Sequence, residues 1–107
     1  MANEGTLKGR IMRYLKSVNV YAWSNPAGPF SKGGLPDILG VLPGGRMLAI
    51  EAKAPGRYKD PRDGLTPAQV ITLAHLEVAG VAVIVTDNYQ DFIEKLVAFI
   101  ATERDRS

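Results

Sequence analysis

The 107-residue chain has no cysteine, one histidine and one tryptophan, and only 7% of its residues are aromatic. Without cysteine there can be no disulfide, thiolate zinc site, iron–sulfur cluster or cysteine nucleophile, and a reducing compartment is the easy fit. His75 has no partner at metal-ligand spacing and reads as a structural residue of a helix. Long apolar runs are missing too. The longest mostly apolar stretch without a charge, Val78 to Thr86, is far short of the ~20 residues a membrane helix needs. MANEGTLKGR at the start lacks the apolar core of a secretory signal. These absences predict a cytoplasmic protein with no membrane contact.

What is present is ordinary for a globular chain: 46% hydrophobic and 22% charged residues. The length suits a single domain over residues 1–107. The net charge of +2 hides an asymmetry, because residues 1–62 carry 10 basic and 4 acidic side chains, whereas residues 63–107 carry 3 and 7. A surface facing a polyanion is therefore expected from the first part of the chain.

Glycine and proline concentrate between Ser24 and Gly64, which places the helices in the flanks. Leu7, Ile11, Leu15 and Val18 recur at helical spacing and predict an amphipathic helix over about residues 4–17, with Glu4 toward its buried edge. Val20 to Ser24 predicts a strand, in which Tyr21 and Trp23 read as core residues rather than base-stacking platforms. Ile38–Leu42 and Arg46–Lys53 flank Pro43-Gly44-Gly45 as a hairpin. Its partners sum to 88, so Asp37 falls opposite Glu51. Asp37, Leu39, Val41, Met47, Ala49, Glu51 and Lys53 then share one face, and Ile38, Gly40, Leu42, Leu48, Ile50 and Ala52 the other. Both faces are largely apolar and should be covered.

Thr66-Pro67-Ala68-Gln69 announces a second helix through a capping box, ending near Gly80. Val81 to Thr86 is a buried strand. Asp87 is the expected N-cap of a third helix whose buried stripe is Phe92, Ile93, Leu96, Val97 and Ile100. The order αβββαβα favours a three-layer α/β domain, a central sheet with helices on both faces.

Asp37 opposite Glu51, with Lys53 two residues farther on the same face, puts three charges where the sheet otherwise wants apolar residues. Two carboxylates at cross-strand distance repel unless a proton or cation lies between them. A hard divalent cation resolves that conflict, since Mg²⁺ takes one or two protein carboxylates together with water and substrate phosphate. It would polarise a phosphate and activate water. Lys53 is placed to orient or deprotonate that water, or to stabilise transition-state charge.

Pro36-Asp37 followed by Glu51-Ala52-Lys53 on the next strand resembles the PD-(D/E)xK nuclease pattern. The fuller string resembles the VRR-NUC branch of that superfamily: Gly34-Leu35-Pro36-Asp37-Ile38, Ala49 to Lys53, Leu65-Thr66-Pro67-Ala68-Gln69, and Gly80 before a buried strand. The similarity covers about residues 4–100. It implies a restriction-endonuclease-like α-β-α fold with a mixed central sheet and an Mg²⁺- or Mn²⁺-dependent nuclease that forms homodimers, as Holliday-junction resolvases do. It also implies that Asp37, Glu51, the Ala52 carbonyl and Glu4 are metal ligands, that Lys53 is the catalytic lysine, and that Gln69 reaches the site from its helix. Such a compact nuclease suits a bacterial or phage-infected cell.

Lys8, Lys32, Arg57, Lys59 and Arg62 are the candidate phosphate contacts, joined by Tyr58 on the loop after the E-x-K strand, and the NPAGPFSKGG loop is a candidate clamp. Contacts of this kind give salt-sensitive affinity with little base preference. The leading expectation is a DNA endonuclease selective for branched or otherwise structured DNA. The competing ones are a binding or assembly module that keeps the fold without cutting, and a small-molecule enzyme using the same carboxylate pair.

Overall fold

The computed structural model describes residues 6–25 and 33–106. Helix α1, Leu7–Ser17, opens where the Thr6 hydroxyl accepts the Gly9 N–H at 3.1 Å. It closes at Asn19, whose φ of 60° lets the Val20 N–H reach back to the Leu15 carbonyl. Ile11 and Leu15 form its buried stripe; Val18, expected to continue it, is exposed because the helix has already ended.

Strands β1 (Tyr21–Ser24), β2 (Ile38–Val41), β3 (Met47–Ala52) and β4 (Ala82–Thr86) form one open, mixed sheet in the order β1-β2-β3-β4. The first two pairings are antiparallel and the last is parallel. Ile38 pairs with Ile50 and Val41 with Met47, the register that the hairpin spacing predicts. The Leu42 N–H bonds to the Arg46 carbonyl at 2.8 Å, and Gly44 and Gly45 both take a φ of 98° to close the loop, a conformation open to glycine.

A 3-10 turn at Pro61–Gly64 precedes α2, Pro67–Val78, and the element order is otherwise αβββαβα. Both arms of the Thr66–Gln69 capping box form, and Gly80 ends the helix at φ 98°. Helix α3 spans Tyr89–Arg106. Its N-cap is Asn88, not Asp87: Asn88 Oδ1 accepts the Asp91 N–H at 2.8 Å. Either residue type can cap, and the one directly before the first helical residue does so.

Helices pack on both faces of the sheet, an arrangement compatible with three layers. Ile38, Leu48 and Ile50 meet Ile11 and Leu15 of α1 and Phe92 and Leu96 of α3 on one face, while Ala49, Val83 and Val85 meet Leu73 of α2 on the other. On α3 the inner stripe runs from Phe92 and Leu96 to Phe99 and Ile100; Val97, expected on it, is rotated outward and exposed. Tyr21 and Trp23 are not core residues either. They lie on edge strand β1, 73% and 39% exposed, on the face where α2 covers only the β3–β4 side. Among the described residues no helix is long and apolar enough to cross a membrane.

Candidate active site

The end of the β2–β3 hairpin and the first turn of α2 converge on one polar cluster. Asp37 is fixed from both sides. Its carbonyl accepts the Asn25 N–H at 2.7 Å, carrying the β1–β2 ladder one pair further, and its Oδ2 accepts the Ala52 N–H of β3 at 2.9 Å. Asn25 Nδ2 also donates to the Pro36 carbonyl, so Asn25 holds the Pro-Asp pair against β1.

Gly34 sets the approach of this segment to α2. Its φ is 89°, and a Cβ there would lie 2.6 Å from the Ala68 carbonyl oxygen. The Ala68 carbonyl is helix backbone and has little room to yield, so Gly34→Ala is expected to cost about 2–4 kcal/mol, from left-handed strain plus overpacking. Urea denaturation in EDTA measures it, and a loss below about 0.5 kcal/mol would show that the loop simply shifts.

Glu51 is 4% exposed. Its Oε2 accepts Gln69 Nε2 at 3.0 Å and lies 3.6 Å from Lys53 Nζ, whereas Oε1 is buried with no hydrogen-bond partner. Burial pushes the carboxyl up from its ordinary 4.5 to about 7; the neighbouring Asp37 adds to the rise, and Lys53 opposes it. Two deprotonated carboxylates have no hydrogen to share, and a proton or a cation between them relieves their repulsion.

Gln69 ties the cluster together. Its Oε1 accepts both Lys53 Nζ at 2.8 Å and the Thr66 N–H at 2.9 Å, so the side chain that completes the capping box also aims the lysine. The amide orientation follows from its partners, with oxygen toward two donors and nitrogen toward a carboxylate.

The structure thus brings together Asp37, Glu51, Lys53, Gln69 and the Ala52 main chain. Lys8 lies beside them: its Nζ is 3.8 Å from Asp37 Oδ1. Arg57 and Lys59 are exposed on the loop after β3. Arg62 turns to α2 and pairs with Glu77 at 3.3 Å, away from the cluster. Glu4, Lys32 and most of the candidate clamp lie outside the described residues.

Sequence reasoning missed two supports. Asn25 read only as the first residue of the candidate clamp, and no local pattern announces its bonds across the loop to Pro36 and Asp37. Asp87 read as a cap; its Oδ2 instead accepts the Gly56 N–H at 3.1 Å and ties the basic loop to the end of β4. At that same end the Thr86 hydroxyl donates to Asp91 at 2.6 Å. Although burial works against the Asp91 charge, Thr86 and Lys95 outweigh it and hold the carboxyl below its ordinary range.

The residues present fit a hard divalent cation. Among the described residues no three His, Cys, Asp or Glu side chains gather as a ligand set. Mg²⁺, however, needs only one or two carboxylates, and the orphaned Glu51 oxygen beside Asp37 is the kind of donor it takes. No family model, curated protein or solved structure matches the chain, so the functional reading rests on this geometry.

Proposed function

We propose that the protein is a divalent-metal-dependent DNA endonuclease with a restriction-endonuclease-like fold of the VRR-NUC kind, selective for structured DNA. One observation carries the reading. A carboxylate sits buried beside a second carboxylate with one oxygen unpartnered, while a lysine and a glutamine are fixed around its other oxygen. A structural ion pair has no need of the second acid, which raises the cost of burying the first.

When bound by Asp37, Glu51 and the Ala52 carbonyl, Mg²⁺ or Mn²⁺ supplies Lewis-acid charge against phosphate oxygens. The chain's own residues do the rest. Asp37 is held rigid by Ala52 and Asn25, and Glu51 by Gln69. The Lys53 ammonium, donating to Gln69 and facing Glu51, presents positive charge where a phosphoryl group would gain negative charge.

Arg57 and Lys59, exposed on the loop that follows Lys53, contact phosphates in this reading. Replacing both by Ala is expected to lower the slope of log affinity against log salt by about 2 without changing base preference. Binding titrations at several salt concentrations measure that slope, and an unchanged value would remove both residues from the interface.

Homodimerisation belongs to the same proposal. Helix α2 leaves Val70, Ile71 and Val78 exposed and offers itself to a second copy. Light scattering tests this, and a strict monomer would remove the second subunit.

The test of function is cleavage of labelled four-way junction, flap, splayed and linear duplex DNA in Mg²⁺ or Mn²⁺, with EDTA as control. Metal-dependent cutting of the structured substrates is expected. Binding without cutting in either metal would favour the non-cleaving module, and equal cutting of every substrate would remove the structure selectivity alone.

A further inference from the structure

We propose that Tyr21 and Trp23 on β1 form a base-stacking subsite for unpaired nucleotides beside the carboxylates. The proposal rests on the nuclease reading and names the part of the DNA that the site selects. Trp23 pairs with Leu39 and Tyr21 with Val41, so by register both rings stand on the sheet face that carries Glu51. Asp37, two residues before Leu39, is the diagonal neighbour of Trp23, and such positions lie about 7–8 Å apart.

The two rings are 5.7 Å apart at 50° to one another, and they are the barest aromatic surface of the sheet. An aromatic pair on an edge strand suits either a protein partner or nucleobases. Position decides between them. The rings adjoin the cluster proposed to take a phosphodiester, and Lys8 of α1 reaches that cluster, its Nζ 3.8 Å from Asp37 Oδ1, as does Lys53, 3.6 Å from Glu51. Aromatic rings beside such cations are the elements of a single-strand surface, where bases stack and phosphates meet the charge.

Bases stacked there place the adjoining phosphodiester at Asp37 and Glu51. Splayed and flap substrates should therefore be preferred over a four-way junction, whose bases are all paired, and over linear duplex.

Trp23 is the sole tryptophan, so its emission reports the subsite directly, and EDTA separates binding from cleavage. Titration with an oligothymidylate of about eight nucleotides is expected to quench that emission, and blunt duplex of equal length is expected not to. Trp23→Ala and Tyr21→Ala should each weaken oligothymidylate binding about tenfold, read by anisotropy of the labelled strand, with duplex binding changed less than about twofold. Trp23→Phe should recover most of the loss. Equal quenching by duplex, or unchanged affinity in both alanine variants, would overturn the subsite. So would emission of a buried indole in dilute free protein, since the rings would then be covered by this chain or a second copy. Quenching without cleavage would leave the stacking subsite standing and remove the nuclease; cleavage without quenching would remove the subsite alone.

Discussion

In EDTA at pH 8, Glu51→Gln is expected to make the protein more stable by about 1–3 kcal/mol, while in Mg²⁺ it removes cleavage. The gain follows from where the charge sits. Glu51 is buried, one oxygen has no partner, and its carboxyl is pushed to about 7. Between the ordinary 4.5 and about 7 the folded protein holds a proton that the unfolded chain has released. Stability therefore falls as pH rises through that window, by about 3 kcal/mol as an upper bound, and stays low above it.

Glutamine removes the slope. Its carbonyl can take the Gln69 N–H, and its NH₂ replaces the orphaned oxygen with a donor that has Asp37 within reach. For a domain of this size the gain amounts to about 5–15 °C in Tm at pH 8, shrinking toward zero at pH 4.5. Mg²⁺ should stabilise the wild type and not the variant, because binding to the folded state adds stability by mass action. Thermal melts over pH 4.5–8.5 with and without Mg²⁺ test all three statements. A wild type whose stability rises between pH 5 and 8 in EDTA would show that Glu51 is not a strained acid, and the case for a cation would fall with it.

The cluster was legible because its parts are set by local rules. Three loop residues fixed the hairpin register, so Asp37 and Glu51 met at the position that alternation and the sum of 88 assign. The Thr66 capping box fixed the first turn of α2 and hence the height of Gln69 above β3. What escaped depends on strand order and on bonds between distant segments. Nothing within Val20–Ser24 tells whether that strand is central or at an edge, so its aromatic residues read as core; they face solvent because β1 is the edge strand among the described residues and α2 covers only the β3–β4 side of that face. Asn25 is twelve residues from Asp37, and its role appears only when the loop between them closes.

Lys53→Ala should lower the cleavage rate by about 10²–10⁴-fold with DNA affinity in EDTA changed less than about threefold, because the lysine side chain is only 17% exposed and its ammonium faces the carboxylates. Its second effect runs opposite to loss of function. Lys53 repels a cation bound at Glu51, so without it Mg²⁺ should bind several times more tightly by calorimetry at pH 8.5. Near pH 6.5 the difference should narrow, since losing Lys53 also removes the charge that opposes the rise of the Glu51 carboxyl, and a proton then competes with the metal. Gln69→Ala gives the contrast. It unseats the lysine and breaks the capping box, so a rate loss of about 10–100-fold should come with about 1 kcal/mol of destabilisation, whereas Lys53→Ala in Mg²⁺ costs rate alone. If Lys53→Ala weakens Mg²⁺ binding at pH 8.5, the lysine is holding the carboxylates in place and its charge is not the catalytic element.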